Sequence, residues 1–225
     1  MIGDQPILLR FIITLVLSIV CLTTSACADI EPAVDTSKNN RAEYEATAKA
    51  LRKSAEEGDA SARNRLGLLY NEGAGVPQDY REAKRWFEKA AEQGYAEAQV
   101  NLGTLYLQGD GPPQSDQMAL FWFRRAAGQG DAVAFAKLGM MYAKARGVPQ
   151  DFIQAYKWYN LAGVNGDRKA AEARDSLANQ MTSAQIAEAQ KLAREWKPIR
   201  NKEVGDASRL NSNETIDPTH IPPAQ

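Results

Sequence analysis

The sequence predicts an all-α fold, an α/α solenoid of tandem helix–loop–helix units wound as a right-handed superhelix. Three observations predict it. The residues repeat with a period of 36, and three blocks, 60–95, 96–131 and 132–167, align without a gap. A fixed period of this order marks an architecture of stacked units. Within each block, apolar residues fall at helical spacing on both sides of a Gly/Pro-rich break. Start and stop signals then recur in phase with the period, with Asp before helices and Gly after them.

Residues 1–28 read as an export signal. Arg10 closes a short n-region, and Phe11 to Leu22 carry no charge. Ala26-Cys27-Ala28 fits a small-x-small cleavage site, which makes Asp29 the new N-terminus. An uncleaved anchor is the rival reading, but spanning a bilayer takes roughly 20 apolar residues. Ser25-Ala26-Cys27 also resembles the end of a bacterial lipoprotein signal, although Thr24 stands where Leu is usual. On that alternative Cys27 carries a lipid anchor. Cleavage after Ala28 removes both cysteines, Cys21 and Cys27. Residues 29–40 then read as a flexible linker. Residues 41–59 read as the helix of a half-repeat, because Ala55, Glu56 and Gly58 precede Ala91, Glu92 and Gly94 by one period.

The three blocks follow. Leu66-Gly67, Leu102-Gly103 and Leu138-Gly139 share one register, with Tyr70, Tyr106 and Tyr142 next. Gly75, Gly111 and Gly147 precede Pro77-Gln78, Pro113-Gln114 and Pro149-Gln150. The second helices carry Ala83, Ala119 and Ala155, then Trp86, Trp122 and Trp158, then Ala90, Ala126 and Ala162. Gly94, Gly130 and Gly166 stand where a left-handed helix C-cap is wanted. Asp59, Asp131 and Asp167 read as N-caps of the following helices, with Tyr95 the exception. Asp79 with Glu82, and Asp151 with Gln154, read as capping pairs. Gly67, Gly103 and Gly139 sit inside helices, where Gly costs roughly 1 kcal/mol against Ala. Their recurrence implies close helix contact, expected against Ala83, Ala119 and Ala155. The Trp stripe reads as core between repeats rather than a ligand cage.

Residues 168–197 read as C-terminal capping helices, 168–179 and 183–196, the second capped by Thr182 with Gln185. Residues 198–225 hold Pro198, Pro218, Pro222 and Pro223 among polar residues and read as a disordered tail.

The string Leu102-Gly103-Thr104-Leu105-Tyr106, the Gly-x-Gly-x-Pro-Gln loop, and Ala119-x-x-Trp122-Phe123-x-x-Ala126-Ala127 resemble a Sel1-like repeat. That family is a relative of the tetratricopeptide repeat with a longer inter-helix loop. The resemblance covers 60–167 fully, and Met181 to Ala189 are similar to the terminal cap of bacterial members. It departs at Ala145, which replaces a loop Gly, at Pro112, which replaces Val, and at Ser115-Asp116. These departures put the shape of the middle loop in question. The resemblance implies an adaptor, with some members acting in the periplasm on signalling and others in host contact.

Composition narrows the function classes. With 27 Lys+Arg and 28 Asp+Glu the net charge is −1, which argues against a nucleic-acid binder. His220 is the one histidine and lies in the tail, so neither a metal centre nor a triad is expected. No serine is followed three places later by Lys. Gly73-Ala74-Gly75 and Gly109-Asp110-Gly111 join helix to helix and lack Gly-Lys-Ser/Thr, so they read as turns, not phosphate loops. Glu56-Glu57 and Arg124-Arg125 read as solvated pairs. No catalytic residue, cofactor or metal is expected.

What remains is a surface. In tandem helix pairs the first helices line the inner, concave side. By analogy with tetratricopeptide packing, the candidate groove is Asn64, Arg65, Leu68 and Asn71; Val100, Asn101, Thr104 and Gln108; and Ala136, Lys137, Met140 and Lys144. Glu72 and Glu97 lie at its edges. Asn and Gln at intervals suit an extended peptide backbone, while Arg65, Lys137 and Lys144 suit a carboxylate. The function expected is an exported protein- or peptide-binding scaffold or regulator of a bacterial cell envelope. It has no nucleic-acid partner and no stable membrane insertion after cleavage. It resides in the periplasm or is secreted, free or lipid-anchored at Cys27. The alternative is a repeat-built hydrolase, or a protein that binds cell wall or β-lactam. Family members linked with β-lactams carry cysteine pairs in their repeats, and these repeats carry none.

Overall fold

The computed structural model describes residues 36–198, with side chains from Ala42 onward. The export signal, its Cys27 alternative, most of the expected linker and the tail beyond Pro198 lie outside the described residues. The chain divides into two units at Asn40–Arg41, and the helix pairs belong to the second.

Helix α1 (Thr36–Glu56) starts before the expected position 41. Thr36 to Asn40 hold no Gly or Pro that would stop the helix favoured by Arg41-Ala42-Glu43. The last part of the expected linker is therefore helical. Three hairpins follow: α2 (Ala60–Glu72) with α3 (Tyr80–Glu92), α4 (Ala96–Gln108) with α5 (Asp116–Gly128), and α6 (Ala132–Ala143) with α7 (Phe152–Val164). Helices α8 (Arg168–Ala178) and α9 (Ser183–Glu195) complete the described residues, among which there is no strand. Each hairpin packs within itself, and its second helix packs on the first helix of the next. Both α8 and α9 pack on α7, so α7 is covered from two sides.

Capping follows the sequence closely. Asp59, Asp131 and Asp167 accept hydrogen bonds from the backbone N–H of Ala62, Ala134 and Ala170, at 2.9, 2.8 and 3.0 Å. Tyr95 makes no side-chain cap. Asp79 and Asp151 cap α3 and α7 through the N–H groups of Glu82 and Gln154. Thr182 and Gln185 form a complete reciprocal box at α9. The middle loop keeps its shape despite its departures. Ser115 has φ −150° and ψ 103°, close to the −148° and 99° of Asp79, and its Oγ accepts from Met118 N–H. A hydroxyl at this position replaces the carboxylate acceptor without moving the backbone.

The helix-interior glycines meet aromatic rings, not the expected alanines. A Cβ on Gly67, Gly103 or Gly139 would stand 2.6, 2.7 or 2.6 Å from the ring of Phe87, Phe123 or Tyr159. The ring one residue after each Trp sits against the bare backbone, and only Gly leaves room for it. Ala83, Ala119 and Ala155 are fully buried in the same core.

The loop glycines set the stacking register. A Cβ on Gly75, Gly111 or Gly147 would come within 2.3, 2.8 or 2.8 Å of the backbone of Tyr44, Tyr80 or Asp116. Those contacts are themselves 36 residues apart. Each hairpin loop therefore sits on the first turns of the preceding second helix, and α1 takes that role for the first block. Thr47 and Ala50 then stand on α1 where complete repeats carry Ala83 and Trp86. At these two positions α1 lacks the large Trp side chain that fills the seam between complete repeats.

The Trp stripe is core between repeats. Trp86 packs with Ala55, Ala62 and Leu66; Trp122 joins Ala83, Phe87 and Leu102; Trp158 joins Ala119, Phe123 and Phe135. Trp196 follows α9 and returns to the edge of Phe135 at 4.9 Å, which ties the cap to the third block.

Candidate binding face

The first helices α2, α4 and α6 place the candidate groove residues, and packing sorts them into three groups. Asn64 is 1% exposed and Val100 is buried, so neither presents its side chain outward. Leu68 and Met140 are half-buried and pack against the cores. Arg65, Gln108 and Lys144 are exposed, while Asn71, Asn101, Thr104, Ala136 and Lys137 are half-buried. The outward set is therefore narrower than the sequence expectation. The analogy with tetratricopeptide packing gives one helical face, but Asn64 and Val100, which share one repeat register, are taken into the interior.

That floor is polar where α2 meets α4. Asn101 Nδ2 donates to Asn64 Oδ1 at 2.9 Å across the two helices. Asn64 Nδ2 is buried and has no partner. Thr104 turns its hydroxyl onto its own helix, donating to the Val100 carbonyl at 2.9 Å. The Asn71 side chain is bypassed as well, since it is its carbonyl that accepts from Gln78 Nε2.

The cations of the second helices and loops are mostly engaged within the fold. Lys84 pairs with Glu88, Arg85 with Glu82 at 3.3 Å, and Arg146 with Asp116 at 2.6 Å. The Arg124-Arg125 pair is not simply solvated, as expected from sequence. Arg124 donates to the Tyr142 hydroxyl at 2.9 Å, and Arg125 lies over the Trp122 ring at 5.4 Å. Burial holds the Arg125 guanidinium below its ordinary value, opposed by Glu92. Glu57 is held by Lys53 at 4.0 Å, on the surface as expected. By contrast, Arg65, Lys137 and Lys144 on the first helices enter no ion pair and no side-chain hydrogen bond among the described residues.

Sequence reasoning passed over two residues. Lys169 is exposed on α8, one period beyond Val133, and extends the face; the repeat offset carries that signal. Lys157 on α7 is 7% exposed, lies 4.4 Å over the Trp158 ring, and has its ammonium pushed below its ordinary value by burial. No local pattern marks it, because Arg85 and Phe121 hold the same register in the other blocks. Among the described residues no group of three or more His, Cys, Asp or Glu could hold a metal. No described helix is long and apolar enough to cross a membrane.

The Sel1 repeat model matches residues 60–95, 96–131 and 133–167. A Sel1 repeat protein from Oxalobacter formigenes is 37% identical, with a TM-score of 0.52, over 57% of this chain and 96% of that one. The chain belongs to the Sel1 repeat family. A second solved Sel1-type structure is c5321, described as a protective antigen of uropathogenic Escherichia coli with an SLR fold. It is 33% identical, with a TM-score of 0.64, over 75% of this chain. This chain spans 36% of the length of c5321. No curated protein matches the chain. The Sel1 repeat is a scaffold whose general use is protein interaction, and family members are typically not enzymes.

Proposed function

We propose that this Sel1 repeat protein is an exported, non-catalytic scaffold or regulator of a bacterial cell envelope, which binds a protein or peptide through the face of α2, α4 and α6. One observation carries the reading. Except for Arg81 in the first turn of α3, cations on the second helices are absorbed into pairs and ring contacts, whereas Arg65 on α2, Lys137 on α6 and Lys144 at the C-cap of α6 are left without partners. A charge that contributes nothing to the fold is available to a ligand. The export reading rests on the charge-free run from Phe11 to Leu22 and the small residues before Asp29.

The test is site-specific photo-crosslinking in the native cell from position 65, with position 81 on α3 as the control. Arg65 is preferred to Asn101 because Asn101 braces the floor. One dominant envelope protein crosslinked from position 65 alone is the expected result. Equal adducts from both positions would overturn the choice of face. Mass analysis of the mature N-terminus reports the address. Asp29 is expected, and a diacylated Cys27 would replace free export with a lipid anchor.

A further inference from the structure

The repeat register places Arg65, Asn101 and Lys137 in one column, one on each of α2, α4 and α6. Helices packed as neighbours lie about 8–10 Å apart. An extended chain advances about 3.3 Å per residue. A chain crossing the three helices therefore advances about two and a half to three residues per column step, and about five to six from Arg65 to Lys137; of these, a spacing of six puts both side chains on the same face of the strand. We infer that the occupant of this face is an extended peptide with two acidic side chains six residues apart, one on Arg65 and one on Lys137, whose backbone between them lies over the Asn64–Asn101 pair. The inference rests on the reading of this face as the binding surface.

The chemistry of the middle column suits a backbone rather than a third charge. Asn101 spends an amide hydrogen on Asn64 Oδ1 and keeps its own Oδ1 as an acceptor. Asn64 Nδ2 is a buried donor with no partner. An extended strand presents N–H and C=O groups in alternation, and one of its N–H groups suits the open Asn101 Oδ1, which Asn64 holds in place from the floor below. Leu68, Thr104 and Met140 run beside the column and give the intervening side chains a partly apolar neighbour. Carboxylates at the two ends match Arg65 and Lys137, neither of which has an internal counter-ion. A continuous polyanion fits less well, because Glu72 and Glu97 stand on the same helices and repel it.

The experiment is a selection of random 12-residue displayed peptides on the full chain, repeated on Arg65→Glu, Lys137→Glu and Asn101→Arg. Far-UV circular dichroism and thermal melting confirm that each surface variant keeps its fold. The expected winners carry Asp or Glu at positions i and i+6. Each charge reversal lowers their affinity about tenfold or more, and moving one acid to i+4 does the same. Winners that lose binding to Asn101→Arg but carry no acidic pair, or one at another spacing, overturn this inference and leave the face standing. Winners indifferent to all three substitutions, or no winners at all, overturn the reading of the face and the inference with it.

Discussion

Gly103 lies inside α4, where intrinsic propensity favours Ala by about 1 kcal/mol. The Phe123 ring reverses that preference, because a methyl group would sit 2.7 Å from Cε1. Gly103→Ala is therefore expected to lower the melting temperature, by the equivalent of about 1–3 kcal/mol of overpacking. Adding Phe123→Leu should recover part of the loss, and an unchanged single variant would refute the contact. Lys157 makes a second case at the same scale. Burial holds its folded pKa below the ordinary 10.5. The unfolded chain then binds more protons between the two values, so stability rises with pH across that window. Below the folded pKa, the penalty of the buried charge is in full force. Lys157→Met is expected to raise the melting temperature at pH 7, with the gain shrinking as the pH approaches 10.5. Melts at both pH values decide it, and a gain independent of pH would assign the effect to packing alone.

The first helices of the three repeats end where the chain turns to positive φ. Helices α2 and α4 finish at Gly73 and Gly109, with φ of 71° and 84°. The third block carries Ala145 in that register and still turns left-handed, with φ 54°. The Gly-x-Pro-Gln loop must land on α5, and this overrides the preference of a single residue. A left-handed L-residue costs about 1–2 kcal/mol. Ala145→Gly is expected to stabilise the protein by about 1 kcal/mol, offset in part by the freer unfolded chain. Denaturant titration checks this through a higher midpoint at constant slope. A lower midpoint would mean that the Ala145 methyl group contributes to packing. The element scale also shows what local signals carry well. Asp79, Asp151 and Thr182 start their helices as the sequence predicts, because a cap involves only residues within one turn. Helix α1 starts ahead of the expected position 41, because Thr36 to Asn40 hold no Gly or Pro that would stop it.

At the scale of the molecule, each hairpin touches only its neighbours. The seam ahead of each of the three repeats has the same parts: a loop Gly on the preceding helix, and a Trp filling the gap beside it. Deleting 96–131 joins Tyr95 to Ala132 and puts Gly147 in the register of Gly111, over the first turns of α3. The shortened chain is expected to stay helical and cooperative, with a denaturant slope reduced in proportion to the surface lost. Deleting half a period, 96–113, should abolish cooperative unfolding. A collapse of both variants alike would mean that stability depends on contacts beyond adjacent repeats.

The sequence by itself determined the repeat, the helices, their caps and the identity of the core, because each is written in spacings of one period or less. The tertiary structure alone decided which groove residues face outward. Asn64 and Arg65 are adjacent in sequence and both polar, yet Asn64 is sealed against Asn101 while Arg65 stays exposed. The neighbouring helix that separates them is 36 residues away, and no pattern within one helix records where it will lie. The same holds for the bare backbone of Gly103 under Phe123. Spacing reveals that something must come close there, and only packing of the hairpin reveals that it is an aromatic ring.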